Sequence, residues 1–265
     1  MMSEKDLVLV DKSDGVGLVT LNRPDSLNAL NGPIMARLAD VIADVAEDGD
    51  IGCVVLTGAG RGFCPGGDLK EGGGKVEPAS AALGTRTEQG HTRLLRQMEA
   101  SRLLHEMPKP TIAMVNGPVA GAGIGLAGAC DLRFASDTAT FYPAFHRIGG
   151  GGDYGSSWFW TKILGTAKAR ELFFLSPKLS AEQALEWGIY NRVIPGDALR
   201  GAVMEIAKGL ASGPRMGWRY MKQNLNNAED TSFETALERE ALNMTLSTQA
   251  AREIWKESQR DKSGT

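Results

Sequence analysis

Two glycine-rich loops carry the residues whose types and spacing point most directly to chemistry. One loop reads Phe63-Cys64-Pro65-Gly66-Gly67-Asp68-Leu69, and the other lies around residues 121–128. Each follows a predicted strand and leads toward a helix, so their backbone N–H groups can converge on one point. Convergent N–H donors stabilise negative charge that develops on a carbonyl oxygen. The sequence therefore favours a carbonyl ligand held by main-chain atoms.

The second loop has another interpretation. Gly123-Ile124-Gly125-Leu126-Ala127-Gly128 matches the GxGxxG pattern of dinucleotide-binding folds. However, it lies in the middle of the chain, its helix has room for only about two turns, and no acidic residue follows at the expected distance. NAD binding is therefore disfavoured. On this loop alone, a purely structural role in close helix–strand packing stays open.

The elements that position these loops alternate between strand and helix. Hydrophobic patterning predicts a hairpin over 7–21, a helix over 34–45 capped by Asn31, and a helix near 91–106. Short apolar runs predict strands at 53–57, 111–115 and 132–135, with a short helix over 122–129 between the last two. Such alternation indicates an α/β fold.

The carboxyl-terminal part of the chain is predicted to be helical. Helical segments are expected near 156–163, 166–175, 180–187, 197–211, 215–226 and 231–257. We place a domain boundary between a core of residues 1–197 and a helical segment of residues 198–265. The segment carries large aromatic residues, including Trp218 and Trp255, so we expect it to be packed and oligomeric.

Composition excludes several function classes. The 265 residues carry a net charge of −3 and no basic stripe, which disfavours nucleic acid as a partner. The three cysteines are far apart with no CxxC pair, which argues against a disulfide framework and a structural zinc site. We expect no metal and no membrane span, since the longest apolar run is short. A cytoplasmic location fits best.

Four ordered motifs closely resemble those of the crotonase superfamily, the enoyl-CoA hydratases and isomerases. They are the stretch from Leu56 to Leu69, the stretch from Lys109 to Gly123, Leu21-Asn22-Arg23-Pro24 with Leu27-Asn28-Ala29-Leu30, and Ala181-Glu182-Gln183-Ala184 with Trp187-Gly188-Ile189. The resemblance implies a spiral of ββα units followed by a C-terminal helical oligomerisation segment that builds a homotrimer or homohexamer. It implies an acyl-CoA thioester as substrate and no separate cofactor.

The resemblance also implies roles for individual residues. The N–H groups of Gly67 and Ala122 would form an oxyanion hole for the thioester oxygen. Lys70 would contact a CoA phosphate, although a solvated surface lysine is an equally good interpretation. The remaining predicted substrate contacts are Gly66, Asp68, Leu69, Gly121, Gly125, Phe145 and Trp158.

The chain departs from the hydratase pattern at the two catalytic glutamates. Matched by motif, these glutamates fall at Gly125 and Phe145, and neither residue can move a proton. The best remaining acid is Asp153, which follows four glycines. This stretch resembles the isomerase of phenylacetate catabolism and the chlorobenzoyl-CoA dehalogenase. The position of the dehalogenase's essential histidine falls near Met98, which counts against that branch.

Asp153 has a structural alternative as the cap of the helix beginning near Ser156, and His146 is more typical of a structural histidine. The first functional hypothesis is a double-bond isomerase with Asp153 as its single acid–base group. The alternatives are an enoyl-CoA hydratase, an acyl-CoA hydrolase or dehalogenase, and a catalytically silent acyl-CoA-binding protein.

Overall fold

Nine strands form two sheets in the computed structural model, which describes residues 3–70 and 85–263. The strands are β1 (Val8–Ser13), β2 (Val16–Leu21), β3 (Cys53–Gly58), β4 (Thr111–Val115), β5 (Val119–Ala120), β6 (Leu132–Ser136), β7 (Thr140–Tyr142), β8 (Leu179–Ser180) and β9 (Arg192–Ile194). The larger sheet has the order β1-β2-β3-β4-β6-β9, and the smaller has the order β5-β7-β8.

Both sheets mix parallel and antiparallel pairing. The predicted hairpin is confirmed, because β1 and β2 pair antiparallel with Val8 opposite Leu21. All other neighbours in the larger sheet are parallel, so the glycine loops after β3 and β4 emerge at the same edge. In the smaller sheet β5 runs parallel to β7, and β8 runs antiparallel to it.

Ten α-helices surround and extend these sheets within the described residues. They are α1 (Gly32–Glu47), α2 (Arg86–Gln97), α3 (Glu99–Glu106), α4 (Ala122–Gly128), α5 (Ser156–Leu164), α6 (Thr166–Leu175), α7 (Ala181–Glu186), α8 (Gly196–Ala211), α9 (Arg215–Ala228) and α10 (Phe233–Ser263). The predicted cap is confirmed, since the Asn31 side chain accepts from the Ile34 N–H at 3.2 Å. The helix predicted over 91–106 is two helices that meet at Met98.

Two apolar clusters hold the layers together. On one face of the larger sheet, the buried stripe of α1 (Ile34, Leu38, Val41, Ile42, Val45) joins the main core. On the other face, Leu199 and Val203 of α8 cover Val55 and Ile112 of the sheet. Helix α8 therefore packs with the strands, although nearly all of it lies beyond residue 197. The boundary at 197/198 stays a prediction.

Helix α9 is tied to the rest of the chain by a buried lysine. Lys222 is 7% exposed, and its Nζ donates to the carbonyl oxygen of Leu104 and to Asp131 Oδ2, both at 2.9 Å. Helix α10 packs on α9 and leaves several large apolar side chains exposed: Phe233, Leu237, Leu242, Met244, Ile254 and Trp255. No helix in the described part of the chain is long and apolar enough to cross a membrane.

Candidate active site

The two glycine loops meet through direct main-chain contacts. In the structure the first loop extends over residues 58–69, and the second loop covers residues 116–122 because α4 begins at Ala122. The Cys64 carbonyl of the first loop accepts from the Ala120 N–H of the second at 2.9 Å. Gly66 has a φ of +94°, and a methyl group there would lie 3.0 Å from the Ala122 nitrogen. Glycine is required here because the second loop leaves no room for a side chain.

Two amides at this junction, those of Gly67 and Ala122, have no acceptor among the described residues, whereas their neighbours do. The N–H of Asp68 donates to the Leu30 carbonyl at 2.9 Å, and that of Gly121 to the Tyr142 carbonyl at 3.3 Å. By contrast, neither Gly67 nor Ala122 donates a hydrogen bond to any described residue. Buried amides are almost always paired, and Ala122 is only 3% exposed. These two N–H groups are therefore donors that a ligand can use.

Two asparagines give the first loop its shape, and sequence reasoning did not assign them a role. Asn28 is fully buried and donates to the carbonyl oxygens of Ala59 and Gly62 at 3.0 and 2.8 Å. Asn116 donates to the Gly58 carbonyl at 2.9 Å and accepts from the Gly58 N–H at 3.2 Å. The sequence could have indicated this role, because each asparagine lies in an apolar motif, where a buried amide side chain needs hydrogen-bond partners.

Asp68 has a positioning role that differs from the predicted substrate contact. Its carboxylate is paired with the Arg23 guanidinium at 3.0 Å and accepts from the Lys70 N–H at 3.0 Å. The side chain is largely buried, so the pair fastens the N-terminal motif to the first loop. Leu69 and Lys70 are exposed beyond it, and their ligand contacts stay predictions.

Asp153 is a half-buried carboxyl group without a partner. Its Oδ1 is buried and makes no hydrogen bond within the described structure. Burial raises the pKa of Asp153 to about 6 because the charged form loses hydration. The alternative as a side-chain cap is wrong, since the cap residue of α5 is Gly155 and no side chain caps that helix.

The backbone around Asp153 is strained. In the Asp153 segment (residues 152–156), φ is +101° at Gly152, +51° at Tyr154 and +72° at Gly155. A left-handed conformation at a residue other than glycine costs about 1–3 kcal/mol and persists only where the surroundings enforce it. Tyr154 Oη and Ser156 Oγ are also buried without partners. Strain and unpaired polar groups thus coincide at Asp153.

Gly125 lies directly against this segment. A methyl group at Gly125 would lie 2.6 Å from Tyr154 Cβ and 3.1 Å from the Asp153 carbonyl oxygen. Gly125 therefore contacts the Asp153 segment, and its predicted contact with substrate stays a prediction. Gly121 contacts the first loop in the same manner, since a methyl group there would lie 3.4 Å from Gly66 Cα.

Aromatic rings lie near both ends of the Asp153 segment, since a methyl group at Gly152 would lie 3.9 Å from Phe173 Cε1 and one at Gly155 would lie 2.7 Å from Phe159 Cε2. Phe145 is 7% exposed and stacks on Phe173, with ring centroids 6.0 Å apart. On the other side, a cavity of about 390 Å³ opens at the start of α5. Trp158 lines it together with Met98, Ser101, His105, Gly155 and Phe159. Ser101 Oγ is buried there without a partner.

Comparison with known proteins identifies the family. The family model described as enoyl-CoA hydratase/isomerase matches residues 11–260. The chain belongs to the enoyl-CoA hydratase/isomerase family. It is 38% identical to the 1,2-epoxyphenylacetyl-CoA isomerase of Escherichia coli K12, over 89% of this chain and 87% of that protein. It is 34% identical to a 4-chlorobenzoyl coenzyme A dehalogenase from Arthrobacter, over 91% and 85% of the two chains.

A solved structure supports the same assignment. A putative enoyl-CoA hydratase from Streptomyces coelicolor A3(2) superposes with a TM-score of 0.83 at 32% identity, covering 93% of this chain and 88% of that one. The predicted resemblance and the crotonase fold class are thereby confirmed, and the chain is an enzyme of the enoyl-CoA hydratase/isomerase family.

Two histidines of this family member, His146 and His105, lie outside the Asp153 segment. His146 is exposed and contacts the edge of Tyr142. Burial lowers the pKa of His105, whose ring packs against Trp158 and Phe159. No cluster of His, Cys, Asp or Glu that could hold a metal occurs among the described residues.

Proposed function

We propose that the protein is an acyl-CoA double-bond isomerase in which Asp153 is the single proton shuttle. The observation that carries the proposal is a carboxyl group with a pKa of about 6 and a buried, unpartnered oxygen. It lies beside the helix whose first amide, that of Ala122, has no acceptor. A general base works best when its pKa is near the working pH, and this burial supplies the shift.

The proton leaves carbon 2 of a 3-enoyl thioester. Asp153 accepts it, and the C–H electron pair spreads over a dienolate whose negative charge rests on the thioester oxygen. The N–H groups of Gly67 and Ala122 would bind that oxygen as an oxyanion hole. Each such donor contributes on the order of 3 kcal/mol to transition-state stabilisation.

The same proton is then returned at carbon 4. The electron pair of the former C3–C4 double bond forms the new C4–H bond, and a double bond forms between carbons 2 and 3. Asp153 is left ionised, so no atom is gained or lost. One carboxylate suffices because both carbons present the same face of a planar dienolate to it.

Hydration fits this site less well. A hydratase must hold and activate water, and Gly125 and Phe145 stand where the motif places the two glutamates that do so. A methyl group at Gly125 would already collide with Tyr154. The 1,2-epoxyphenylacetyl-CoA isomerase among the relatives supports isomerase chemistry on acyl-CoA substrates. Slow or absent hydration of crotonyl-CoA is therefore expected.

The cavity at the start of α5 is the proposed place for the acyl group. It begins at Gly155, two residues from Asp153, and its walls combine apolar and aromatic side chains with a charged part formed by Glu99, Arg102, Glu106 and Asp230. Its volume of about 390 Å³ lies within the usual range for small-molecule pockets. Trp158 would then contact the acyl group, and Phe145 with Phe173 would exclude water from the opposite side.

The decisive experiment measures Asp153→Asn against a panel of 3-enoyl-CoAs. We expect isomerisation to fall at least 100-fold, within the usual contribution of general acid–base catalysis, while CoA thioesters still raise the melting temperature of the variant. Retention of more than about a tenth of the wild-type rate, a loss below about 1.4 kcal/mol, would refute the role of Asp153.

The Arthrobacter dehalogenase supports a second candidate, in which Asp153 attacks the substrate as a nucleophile. Attack of the carboxylate on the halogen-bearing ring carbon of a haloaroyl-CoA would form a C–O bond, break the carbon–halogen bond and release halide, which leaves an aryl ester of Asp153 for water to hydrolyse. Mass spectrometry of rapidly quenched enzyme detects such an adduct. Turnover of 3-enoyl-CoAs without an adduct excludes it. Binding of CoA thioesters with no turnover of any kind would identify a silent acyl-CoA-binding protein.

We also propose that α9 and α10 assemble the chain into a homotrimer or a dimer of trimers. The exposed apolar side chains of α10 support this assembly because a contiguous apolar surface of that kind is typical of an interface. Light scattering at micromolar concentration tests it, and a monomer would contradict it.

A further inference from the structure

The contact between α4 and the Asp153 segment has a consequence for the reaction. Helix α4 begins at Ala122, whose amide is a proposed oxyanion donor, and Gly125 follows three residues later. Three residues of α-helix advance about 4.5 Å. One rigid turn therefore carries both the Ala122 amide and the residue that touches the Asp153 segment.

Helices α4 and α5 also contact each other beyond the Asp153 segment. The Trp160 Nε1–H donates to the Ile124 carbonyl at 3.2 Å. A methyl group at Gly128 would lie 3.0 Å from Phe159 Cβ, so α5 rests on α4 without intervening side chains. The start of α5 thus has little freedom to shift along α4.

We infer that Gly125 is a positioning residue for Asp153. Its missing side chain lets the backbone of residues 153 and 154 lie directly on α4, which sets the distance from the carboxylate to the Ala122 amide. The left-handed Tyr154 is held by the same contact, since the closest atoms to a methyl group at Gly125 are Tyr154 Cβ and the Tyr154 carbonyl oxygen, at 2.6 and 2.7 Å.

The contact also makes two catalytic arrangements mutually exclusive. A side chain at position 125 would occupy the space that the Asp153 segment fills. A glutamate at 125, as the hydratase pattern has, therefore requires the segment to move away from α4. The chain can place a carboxylate at 125 or hold Asp153 where it stands, and it has the second arrangement.

The test compares Gly125→Ala with Gly201→Ala. Gly201 lies in α8, is exposed, and has nothing within 4 Å of an added methyl group, so it controls for the general effect of alanine in a helix. We expect Gly125→Ala to lower kcat for isomerisation about 100-fold, the cost of misplacing a catalytic group by about 1 Å. The KM for the acyl-CoA should change less than about threefold.

A second readout follows the carboxyl group itself. In ¹³C NMR the Asp153 carboxyl resonance is assigned by its loss in Asp153→Asn. It should titrate with a midpoint near pH 6 in the wild type and at a lower pH in Gly125→Ala. The titratable groups that interact with Asp153 within the described structure are Cys64 and Tyr154. Burial raises the pKa of both, that of Cys64 to about 12, so neither ionises in this range.

Tyr154→Gly tests the same contact from the other side. It removes the Tyr154 Cβ contact without a clash, and glycine tolerates the positive φ. Because Tyr154 is 1% exposed, the variant also leaves a cavity that should cost about 3–5 kcal/mol, so its folding is checked by thermal unfolding before kcat and titration are compared. We expect a moderate loss of kcat in this variant. In the Gly125→Ala/Tyr154→Gly pair the loss should be smaller than the product of the two single losses, because both changes act on the contact between position 125 and Tyr154 Cβ. If Gly125→Ala does not fold, Tyr154→Gly alone must still lower the carboxyl titration point.

This inference rests on the proposed function only through kcat. If the wild type isomerises no 3-enoyl-CoA yet the titration point moves in Gly125→Ala, the proposed function fails and the positioning role stands. A folded Gly125→Ala with wild-type kcat and an unchanged titration point would overturn the inference.

Discussion

The first loop and the Asp153 segment meet the same demand, an irregular backbone beside a ligand, in opposite ways. Most polar groups of the first loop have partners from outside it, because Asn28 and Asn116 pair its carbonyl oxygens and Arg23 pairs its Asp68 carboxylate; the Gly67 N–H is the exception among the described contacts. The Asp153 segment has three buried polar atoms without partners and three positive φ angles. One region is built for stability, whereas the other retains strain.

The difference indicates where each region's function lies. A loop that offers backbone amides must hold them still, and dense hydrogen bonding does so. A carboxyl group that serves as a base must stay poorly solvated, since each hydrogen bond to its ionised form would lower its pKa. Changes in the first loop should therefore cost stability, and changes in the Asp153 segment should cost activity while stability rises.

The largest stability effect is expected at the ion pair of the first loop. Asp68→Ala leaves the Arg23 charge largely buried without this partner, which should destabilise the fold by about 3–5 kcal/mol. Urea unfolding measures this, with the exposed Asp25→Ala as control, which should change stability by less than about 0.5 kcal/mol. An equal effect for both would mean that the first loop is not fastened by this pair.

Removal of the Asp153 charge should raise stability, which is the opposite of the effect expected for Asp68→Ala. The rise in the Asp153 pKa from 3.8 to about 6 makes the native state hold more protons than the unfolded state between these values, so stability falls as pH rises through this window. Asp153→Asn removes the ionised group and should be more stable than wild type by about 1–2 kcal/mol at pH 7.5, after allowance for partial exposure.

The pH dependence of that gain is the sharper measurement. The difference in melting temperature between Asp153→Asn and wild type should shrink as pH falls from about 6 to about 4. Over this range Asp153 becomes protonated in the folded wild type and then increasingly in the unfolded wild type, so the cost of burying its charge disappears. A gain that is constant with pH would show that Asp153 is not a buried acid.

The rate of isomerisation should depend on pH through the same ionisation of Asp153. Because the base is ionised above pH 6, kcat/KM should fall about tenfold between pH 7.5 and pH 5, with a midpoint near the Asp153 pKa of about 6. Stopped-flow assays in a buffer of constant ionic strength measure this profile. A rate that is level down to pH 5 would place the base elsewhere.

The smallest effect is expected at Tyr154. Its Oη is buried without a partner, so Tyr154→Phe removes an unpaired polar group and should raise stability by up to about 1 kcal/mol. Tyr190→Phe is a matched control outside the Asp153 segment, since the Tyr190 Oη is also buried without a partner. A loss of stability in Tyr154→Phe alone would reveal a hydrogen bond in the segment.

Much of this architecture was predictable from periodicity. The stripe of α1 from Ile34 to Val45 repeats at helical spacing, and Asn31 is a typical cap. The strands β5 and β8 have two residues each, too few to show any alternation, and they were missed. The break at Met98 was also missed, because the helical pattern continues through it.

The candidate site was predictable in its residues but not in its contacts. Motifs pointed to Gly67, Ala122 and Asp153, and the structure brings their loops together around α4. The partner of Asp68 and the contact between Gly125 and Tyr154 depend on residues far apart in the chain. Sequence spacing could not distinguish a buried carboxyl group from a helix cap at Asp153, since both follow a glycine turn.

The buried Lys222 also bears on how the chain is made. Its hydrogen bonds reach Leu104 and Asp131, which precede it by 118 and 91 residues. Contacts this distant in sequence form late because a large loop must close first. During synthesis the strands β4 and β6 emerge well before the lysine that pairs with Asp131. A chain that stops before α9 would therefore lack the ammonium group that pairs with Asp131 and with the Leu104 carbonyl.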